Sequence, residues 1–568
     1  MPTSNENIQH YYSQLAKEHH LKLHRIKNDT IDPALLVKAK CPTYLQLQAI
    51  PISETEKTIT IATADPSDKN RKAIEAFWGK KSSKNLELVI ASRQDISGAL
   101  AHRFRTELTH DITYKRFDID PVHSASYSFS LSEKIVLITI LLILTGGFIW
   151  KFYITLLVIS LFLSMGTVTI MAYKMGLTLR IFRWPQVTAI KIDTRDDQLP
   201  VYTVLIPLLR EKEETLSVLL KSLQKLDYAQ NKLDVKLLLE EDDDKTLETI
   251  AKFSLPWNYE VLLVPPGLPR SKPRACNYGA YLAFGEYLTI YDAEDQPDAD
   301  QLKQALKCFA ENDKETVCVQ AALNFYNHKR NLLTRLFTIE YTHWFDSFVP
   351  ALVYLKAPVP LGGTSNHFKV KTLLKIGCWD PYIGTEDADI GIRIYRLGYK
   401  TNCITSTTYE EANTDVFNWF KQRARWNKGY MQTYLVNMRD PLKMIKQVGF
   451  IKFVNFQLFV GGNVFIQLAN LPLWFFLLAS YITYMNAGLP PYPKIAFFVT
   501  WYNFLIGNLI LLGSEAYAVY RRGLYRLLPF VPLKIFYWLQ MSFAGYYAII
   551  ELLVRPGYWY KTEHGFGE

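Results

Sequence analysis

Two apolar blocks on either side of a long polar stretch restrict this chain more than any other feature. Ile135–Trp150 is uncharged and about one bilayer thick if the membrane thins locally; Lys151 interrupts it, and Phe152–Tyr173 supplies a second span. Two successive segments that are apolar all round are better satisfied by lipid than by a buried soluble hairpin. Beyond Phe450 the chain turns apolar again, with spans expected near Phe459–Tyr481 and Ile495–Tyr520. A further stretch, Phe530–Leu553, contains Pro532 and Lys534 and is flanked by Arg521, Arg522 and Arg526 before it and Arg555 and Lys561 after it. Basic residues at both ends suit a bent or re-entrant segment with a cytoplasmic tail. Lys174, Arg180 and Arg183 follow the second span and place that end in the cytoplasm.

The 568 residues are too many for one core, so about three to four structural units are expected. A net charge of +10 could signal a nucleic-acid binder, but the 64 Lys and Arg are interspersed with 54 acids and form no long basic run. Positive cytoplasmic loops of a membrane protein explain the excess, and no nucleic-acid partner is expected. Cys41, Cys276, Cys308, Cys318, Cys378 and Cys403 show no CxxC spacing and no neighbouring His cluster, which argues against a zinc site or a disulfide framework. Met1–His20 is polar and charged, without the apolar stretch of a signal peptide, so the amino terminus is expected in the cytoplasm.

Four segments follow from these shifts in composition: a small α+β domain over 1–122, two transmembrane helices over 133–175, an α/β domain over 198–435, and a carboxyl-terminal part over 436–568 with interfacial helices and about two to four transmembrane or re-entrant segments. Within the third, Val201–Leu208, Val235–Leu239, Glu260–Val264, Tyr287–Asp292 and Thr316–Leu323 read as strands alternating with helices. Such alternation argues for a mostly parallel, doubly wound sheet with its ligand site at the carboxyl ends of the strands. The acidic clusters fall at those ends.

Those clusters are "LLLEEDDDKT" at 237–246, "YDAEDQPD" at 291–298 and "GTEDADIGIR" at 384–393, followed by "QRARW" at 422–426. Hard oxygen donors on a strand-end turn (Asp292, Glu294, Asp295) suit Mg²⁺ or Mn²⁺, although the same acids could cap the next helix. Asp387 could take a proton as a general base, and "TEDADIGIRI" could equally begin an amphipathic helix. Gln422, Arg425 and Trp426 share one helical face, where Arg can hold a diphosphate and Trp can stack on a sugar ring; an amphipathic membrane-surface helix has the same composition.

Taken together and in this order, the motifs resemble the processive family 2 glycosyltransferases, the group of bacterial cellulose synthase, hyaluronan synthase and related β-glucan synthases. The likeness runs from Val201 to the carboxyl terminus. It implies a GT-A type α/β domain joined to a multi-span helical membrane domain in a bacterial inner membrane, with the catalytic domain cytoplasmic. It also implies an inverting hexosyltransferase that uses a nucleotide-diphosphate sugar, in the first instance a UDP-sugar, to extend a β-linked exopolysaccharide and to couple extension to export.

By the same resemblance Pro207 and Glu211 of "IPLLREKEE" match the opening donor turn, though Leu209 and Arg210 depart from its usual Tyr and Asn. Glu240, Glu241 and Asp242 stand where relatives hold the nucleobase. Lys272 and Asn277 of "SKPRACN" fall near the donor, and Asp292, Glu294 and Asp295 at the metal. Thr385, Glu386 and Asp387 match the general-base motif, Gln422 and Arg425 contact the donor diphosphate, and Trp426 and His367 face the acceptor glycan.

Upstream, "DPALLVKAK…LQLQAIPI…ITIATADPSD…ELVIASRQDISGAL", from Asp32 to Leu100, resembles the amino-terminal domain of type II secretion and pilus-assembly ATPases. It implies a docking or structural role, with other secretion components as partners. The paired Arg-Leu-Gly helices through which a neighbouring module of some relatives binds cyclic di-GMP are not found in it. Two competing readings accompany the main one: a non-processive transferase acting on a lipid acceptor, and a catalytically dead assembly scaffold, against which the intact acids and "QRARW" argue.

Overall fold

The computed structural model describes residues 3–26, 31–79, 84–126, 129–181, 198–487 and 494–557. Two expectations, the basic residue Arg183 and the tail from Tyr558 onward, lie outside the described residues. In chain order the strands used below are β1 (Ala49–Glu54), β2 (Thr58–Thr63), β3 (Asn85–Ile90), β4 (Tyr202–Leu208), β5 (Leu233–Glu240), β6 (Tyr259–Val264), β7 (Tyr287–Ile290), β8 (Thr316–Phe325), β9 (Asn366–Lys369) and β10 (Lys400–Glu410). The helices are α1 (Arg105–Ile119), α2 (Leu131–Ile181), α3 (Lys272–Tyr281), α4 (Leu332–His343), α5 (Glu386–Arg396), α6 (Val416–Met438), α7 (Gly462–Ala487) and α8 (Lys534–Val554).

The chain divides into two compact units, cut differently from the four expected segments. The first joins Met1–Ile119, Lys191–Lys307 and Thr364–Pro381; the second joins Asp120–Ile190, Cys308–Gly363 and Tyr382–Glu568.

In the first unit, β6, β5, β4 and β7 run parallel in that order and β9 adds antiparallel to β7. All four strands expected here are present. Every residue of β5 is buried, as a central parallel strand covered on both faces requires. Helix Glu213–Gln224 lays Leu216, Leu219 and Leu223 on Val204, Ile206, Leu237 and Leu239. Each fully buried leucine is worth about 1.5–3 kcal/mol. Gly279 lets α3 approach closely, since a Cβ there would lie 2.7 Å from Leu205 Cδ2 and 2.9 Å from Leu238 Cδ2.

The amino-terminal three-stranded sheet, β1-β2-β3, belongs to this unit, and the helix Arg93–Arg103 contacts the amino-terminal ends of β5 and β6. Gln94 donates to the Trp257 and Tyr259 carbonyls, and Arg93 donates to those of Asn231 and Leu233. Tyr11 stacks on Trp257 with ring centroids 3.5 Å apart.

In the second unit, β8 and β10 pair in parallel. Three helical stretches among the described residues are long and apolar enough to cross a membrane: Leu131–Leu179, Phe450–Asn486 and Tyr525–Val554. The first contains the expected pair of spans. Lys151 leaves helical geometry at φ −149°, ψ 81°, and a Cβ on Gly147 would lie 2.9 Å from Thr155 Oγ1. Eight residues of straight helix would separate those positions by about 12 Å, so the chain bends sharply at Lys151. The expected span near 495–520 is helical through Lys494–Tyr502, a π turn at Asn503–Gly507, and Asn508–Arg521. Pro529 and Pro532 are confined to a 3-10 segment, Tyr525–Leu533, after which α8 runs unbroken for 21 residues, about 31 Å. α8 packs along α6 and α7.

Candidate active site

The first unit carries the acids expected to face a donor, and the structure gives them different partners. At the end of β5, Glu240 is buried with Arg274 and Arg270 at 3.7 and 3.9 Å; burial raises its carboxyl above the ordinary range while the two guanidiniums pull it down. Glu241 pairs with Arg105 of α1 at 2.6 Å, and Asp242 pairs with Arg270. Asp243, not singled out in the sequence, fixes the opening turn: it accepts from the Arg210 amide at 2.7 Å and the Thr246 hydroxyl at 2.7 Å. Arg210 there adopts a left-handed φ of 53°. Pro207 lies half-buried one residue before the end of β4, and Glu211 follows with its amide on the Thr246 hydroxyl.

After β7, Asp292 is half-buried and ion-paired with Lys272 at the first turn of α3. Glu294 is half-buried as well. Asp295 turns inward: it is fully buried, accepts from the Asp292 amide at 2.8 Å and from the Thr364 hydroxyl, and leaves Oδ1 buried without a hydrogen-bond partner. Burial first, then repulsion from Asp292 and Glu294, pushes its carboxyl well above the ordinary range. Among the described residues no group of three or more His, Cys, Asp or Glu side chains forms a ready-made metal cage. Mg²⁺ is commonly held by one or two carboxylates together with substrate phosphates. Three crowded carboxylates with an unsatisfied buried oxygen fit such an ion, because a divalent cation relieves their mutual repulsion.

The second unit carries the remaining motifs. Thr385 precedes α5, and of Thr385, Glu386 and Asp387 only Asp387 is half-exposed. Its Oδ1 accepts from the Ala388 amide at 2.8 Å, in the first turn of α5. On α6, Gln422 is buried and accepts from Asn413 at 2.9 Å, whereas Arg425 and Trp426 are half-buried. Trp426 stacks near Tyr341 at 6.3 Å. Arg423, between the expected residues, is the buried anchor: it donates twice to Glu340, at 2.9 and 2.6 Å, and lies 4.6 Å from the Trp426 ring centroid.

Comparison with known proteins matches the part of the chain that carries these residues. Glycosyl transferase family 2 matches residues 203–365 and Glycosyl transferase family group 2 matches residues 287–512. The chain carries a family 2 glycosyltransferase domain. An MshEN domain matches residues 19–110, as in the amino termini of type II secretion ATPase-like proteins, and overlaps the β1-β2-β3 sheet. With its mostly parallel sheet, the glycosyltransferase domain has a GT-A-like fold. The chain is similar to the probable glycosyltransferase YdaM of Bacillus subtilis (strain 168), 25% identical over 252 residues, 44% of this chain. It spans 59% of that relative's length. Among solved structures it is similar to the mannosyltransferase PcManGT of Pyrobaculum calidifontis in complex with GDP-Man and Mn²⁺ (TM-score 0.46, 18% identity, 70% of this chain and 99% of that one). It is also similar to S. aureus TarS 1-349 (TM-score 0.32, 15% identity, 65% and 95%).

Two residues expected at the ligands of the glycosyltransferase domain belong to its interior. Asn277 is buried; its amide donates to the Ile112 and Trp379 carbonyls at 2.9 and 3.0 Å and accepts from the Trp379 amide at 3.0 Å, so its polar atoms are occupied by backbone. His367 lies in β9, fully buried, with Nδ1 2.7 Å from the Tyr202 hydroxyl and Nε2 buried without a partner. Burial lowers its pKa to about 3, which keeps the ring neutral. A glycan cannot touch a side chain closed inside the sheet. His367→Ala is therefore expected to cost on the order of 3 kcal/mol, from lost packing and an unpaired Tyr202 hydroxyl, seen as a lower thermal midpoint. Acceptor KM should stay unchanged; a raised KM with an unshifted midpoint would return His367 to the acceptor side.

Proposed function

We propose that this chain is an inverting membrane hexosyltransferase that takes a hexose from a UDP-sugar and adds it to a growing β-linked exopolysaccharide, with its catalytic domain on the cytoplasmic face and extension coupled to export. The observation that carries the reading is the acidic turn after β7, where Asp292, Glu294 and the inward Asp295 crowd together and Lys272 faces Asp292 across the turn. A sugar diphosphate needs just such a pairing of cation-binding oxygens with a lysine at a helix amino terminus.

In this reading Asp292, Glu294 and Asp295 would hold a divalent ion, Mg²⁺ or Mn²⁺, which would supply neutralisation of the charge on the departing diphosphate. Lys272 binds phosphate oxygens, Glu240 and Asp242 accept from the nucleobase, and Arg425 takes the leaving diphosphate. Trp426 stacks on the acceptor ring. Asp387 accepts the proton of the acceptor hydroxyl while that oxygen bonds to the anomeric carbon and the bond to the diphosphate oxygen breaks on the opposite face, which inverts the centre.

Membranes containing the full chain, supplied in turn with labelled UDP- and GDP-sugars, test this directly. Incorporation of label into a polymer from a UDP-sugar is the expected result. Chelator should abolish it and Mg²⁺ or Mn²⁺ restore it, with Asp292→Asn and Glu294→Gln each raising the metal concentration needed about tenfold or more. Label confined to a single-sugar lipid would replace the polymer by a lipid product, and full activity in chelator would remove the metal.

A further inference from the structure

Helix α6 does more than carry Gln422, Arg425 and Trp426. One turn further on, two residues seat the loop that leads into Asp387. A Cβ on Gly429 would stand 2.5 Å from Thr385 Oγ1 and 2.6 Å from both Thr385 Cγ2 and the Thr385 amide nitrogen, so only glycine lets the loop lie against the helix. Three residues later, and so on the same helical face, Gln432 is buried at 7% exposure. Its Oε1 accepts from the Gly384 amide at 3.1 Å, and its Nε2 donates to the Pro556 carbonyl at 3.0 Å. Gly384 immediately precedes Thr385, Glu386 and Asp387, whereas Pro556 follows α8 after Arg555 has left helical geometry at φ −140°, ψ 61°. The α6–α8 register is held nearby by buried Lys428, 3.5 Å from Glu551.

We propose that Gln432 is a positioning residue for Asp387. Both ends of its amide are used, one for the loop that places the base and the other for the chain leaving the last long apolar helix. The seating of that helix is thereby transmitted to the base, and a shift of Pro556 reaches Gly384 through a single side chain. This rests on the assignment of Asp387 as general base.

The amide's two roles can be separated chemically. Gln432→Ala removes both bonds. Gln432→Glu, when ionised, still accepts from Gly384 but cannot donate to Pro556; when protonated it does both again. A buried carboxyl protonates above the ordinary glutamate range, so this switch falls in an accessible window. Hydrogen exchange of the peptide 382–390 in the full purified chain reads the loop without substrate. The expected result is exchange about 5- to 10-fold faster in Gln432→Ala than in the parent. The Gln432→Glu chain, which keeps the Gly384 bond but not the Pro556 bond, should exchange at a rate between Gln432→Ala and the parent at pH 8 and approach the parent, measured at the same pH, as the pH falls toward 5.

With UDP-sugar and acceptor, kcat of Gln432→Ala should drop about 10²-fold at unchanged donor KM, as a misplaced catalytic group predicts. The ratio of Gln432→Glu to parent should rise on acidification while that of Gln432→Ala stays flat. Unchanged exchange in Gln432→Ala, or a Gln432→Glu ratio as flat as that of Gln432→Ala, overturns the proposal. Asp387→Asn separates the two assignments: if it is inactive while Gln432→Ala keeps parental kcat, the base stands and the positioning role fails. If Asp387→Asn keeps parental kcat, the base assignment itself fails.

Discussion

Asp387→Asn is expected to lower kcat about 10²- to 10⁴-fold, the usual contribution of a positioned general base, with donor KM within a factor of two. The substitution keeps shape and the acceptor toward the Ala388 amide, so the start of α5 should fold as before and the thermal midpoint should hold. What disappears is a group able to accept the hydroxyl proton. Asp387 is half-exposed, whereas Glu386 beside it is buried, so Glu386→Gln should act more weakly on kcat and more strongly on stability. Single-turnover transfer from a labelled UDP-sugar, followed for parent and both variants, separates the two acids. Parental rates in Asp387→Asn together with an inactive Glu386→Gln would move the base by one residue; equal rates in all three would remove it from this motif.

The parts of the molecule written in local periodicity are legible in the amino-acid sequence. The strand expected over Val201–Leu208 forms at Tyr202–Leu208, that over Thr316–Leu323 forms at Thr316–Phe325, and Lys151 marks the break between two apolar helices. Strand burial, helical amphipathicity and lipid-facing runs all repeat over a few residues, which is why a short window suffices. The acidic clusters at 237–246 and 291–298 fall at the ends of β5 and β7 for the same reason, whereas that at 384–393, also expected at a strand end, opens α5 instead. Direction within a cluster is not written locally. Asp295 and Asp292 are three residues apart, yet one turns into the core and the other faces Lys272, a choice made by Thr364, 69 residues from Asp295.

Partnerships across long separations escape in the same way. Asn277 is claimed by the backbone of Ile112 and Trp379, and His367 by Tyr202, 165 residues away. A short strand such as β9, with Phe368 beside His367, already hints at burial, and an aromatic before Arg423 at i−4, Trp419, hints at a stacked guanidinium. The division of the chain into two units also has a long-range cause, since Arg93 and Gln94 spend their donors on the carbonyls of residues 231, 233, 257 and 259.

The second large effect is expected at Glu340 and Arg423. Arg423 has 5% side-chain exposure and donates to both oxygens of Glu340 and, at 2.9 Å, to the Tyr537 hydroxyl. Tyr537 donates in turn to Glu340 at 2.6 Å and accepts from Trp419 Nε1 at 3.2 Å. Phe337 and Trp426 flank the guanidinium, with ring centroids at 4.3 and 4.6 Å. Glu340→Ala leaves this cation without its counterion in a place that water reaches poorly, and the expected loss is about 3 kcal/mol, near the low end for a broken buried pair because Glu340 itself is 24% exposed.

Arg423→Met should cost less, since Glu340 keeps the Tyr537 hydroxyl and can protonate or hydrate. Combining Arg423→Met with Glu340→Leu should cost less than Glu340→Ala alone, as replacing a whole buried pair by apolar groups often does. Burial favours the neutral acid of Glu340, but Arg423, Lys534 and the Tyr537 hydroxyl together outweigh it and hold the carboxyl below the ordinary range. The stabilisation it contributes is thus complete above the usual glutamate pKa and fades as the pH falls through the lowered value. Thermal midpoints of the parent, the two single variants and the double variant, taken at pH 7 and again at pH 4, check each step. A Glu340→Ala midpoint equal to the parent's would show that Arg423 finds water or another acceptor, and Trp426 would then stand on its aromatic neighbours without the ion pair beneath it.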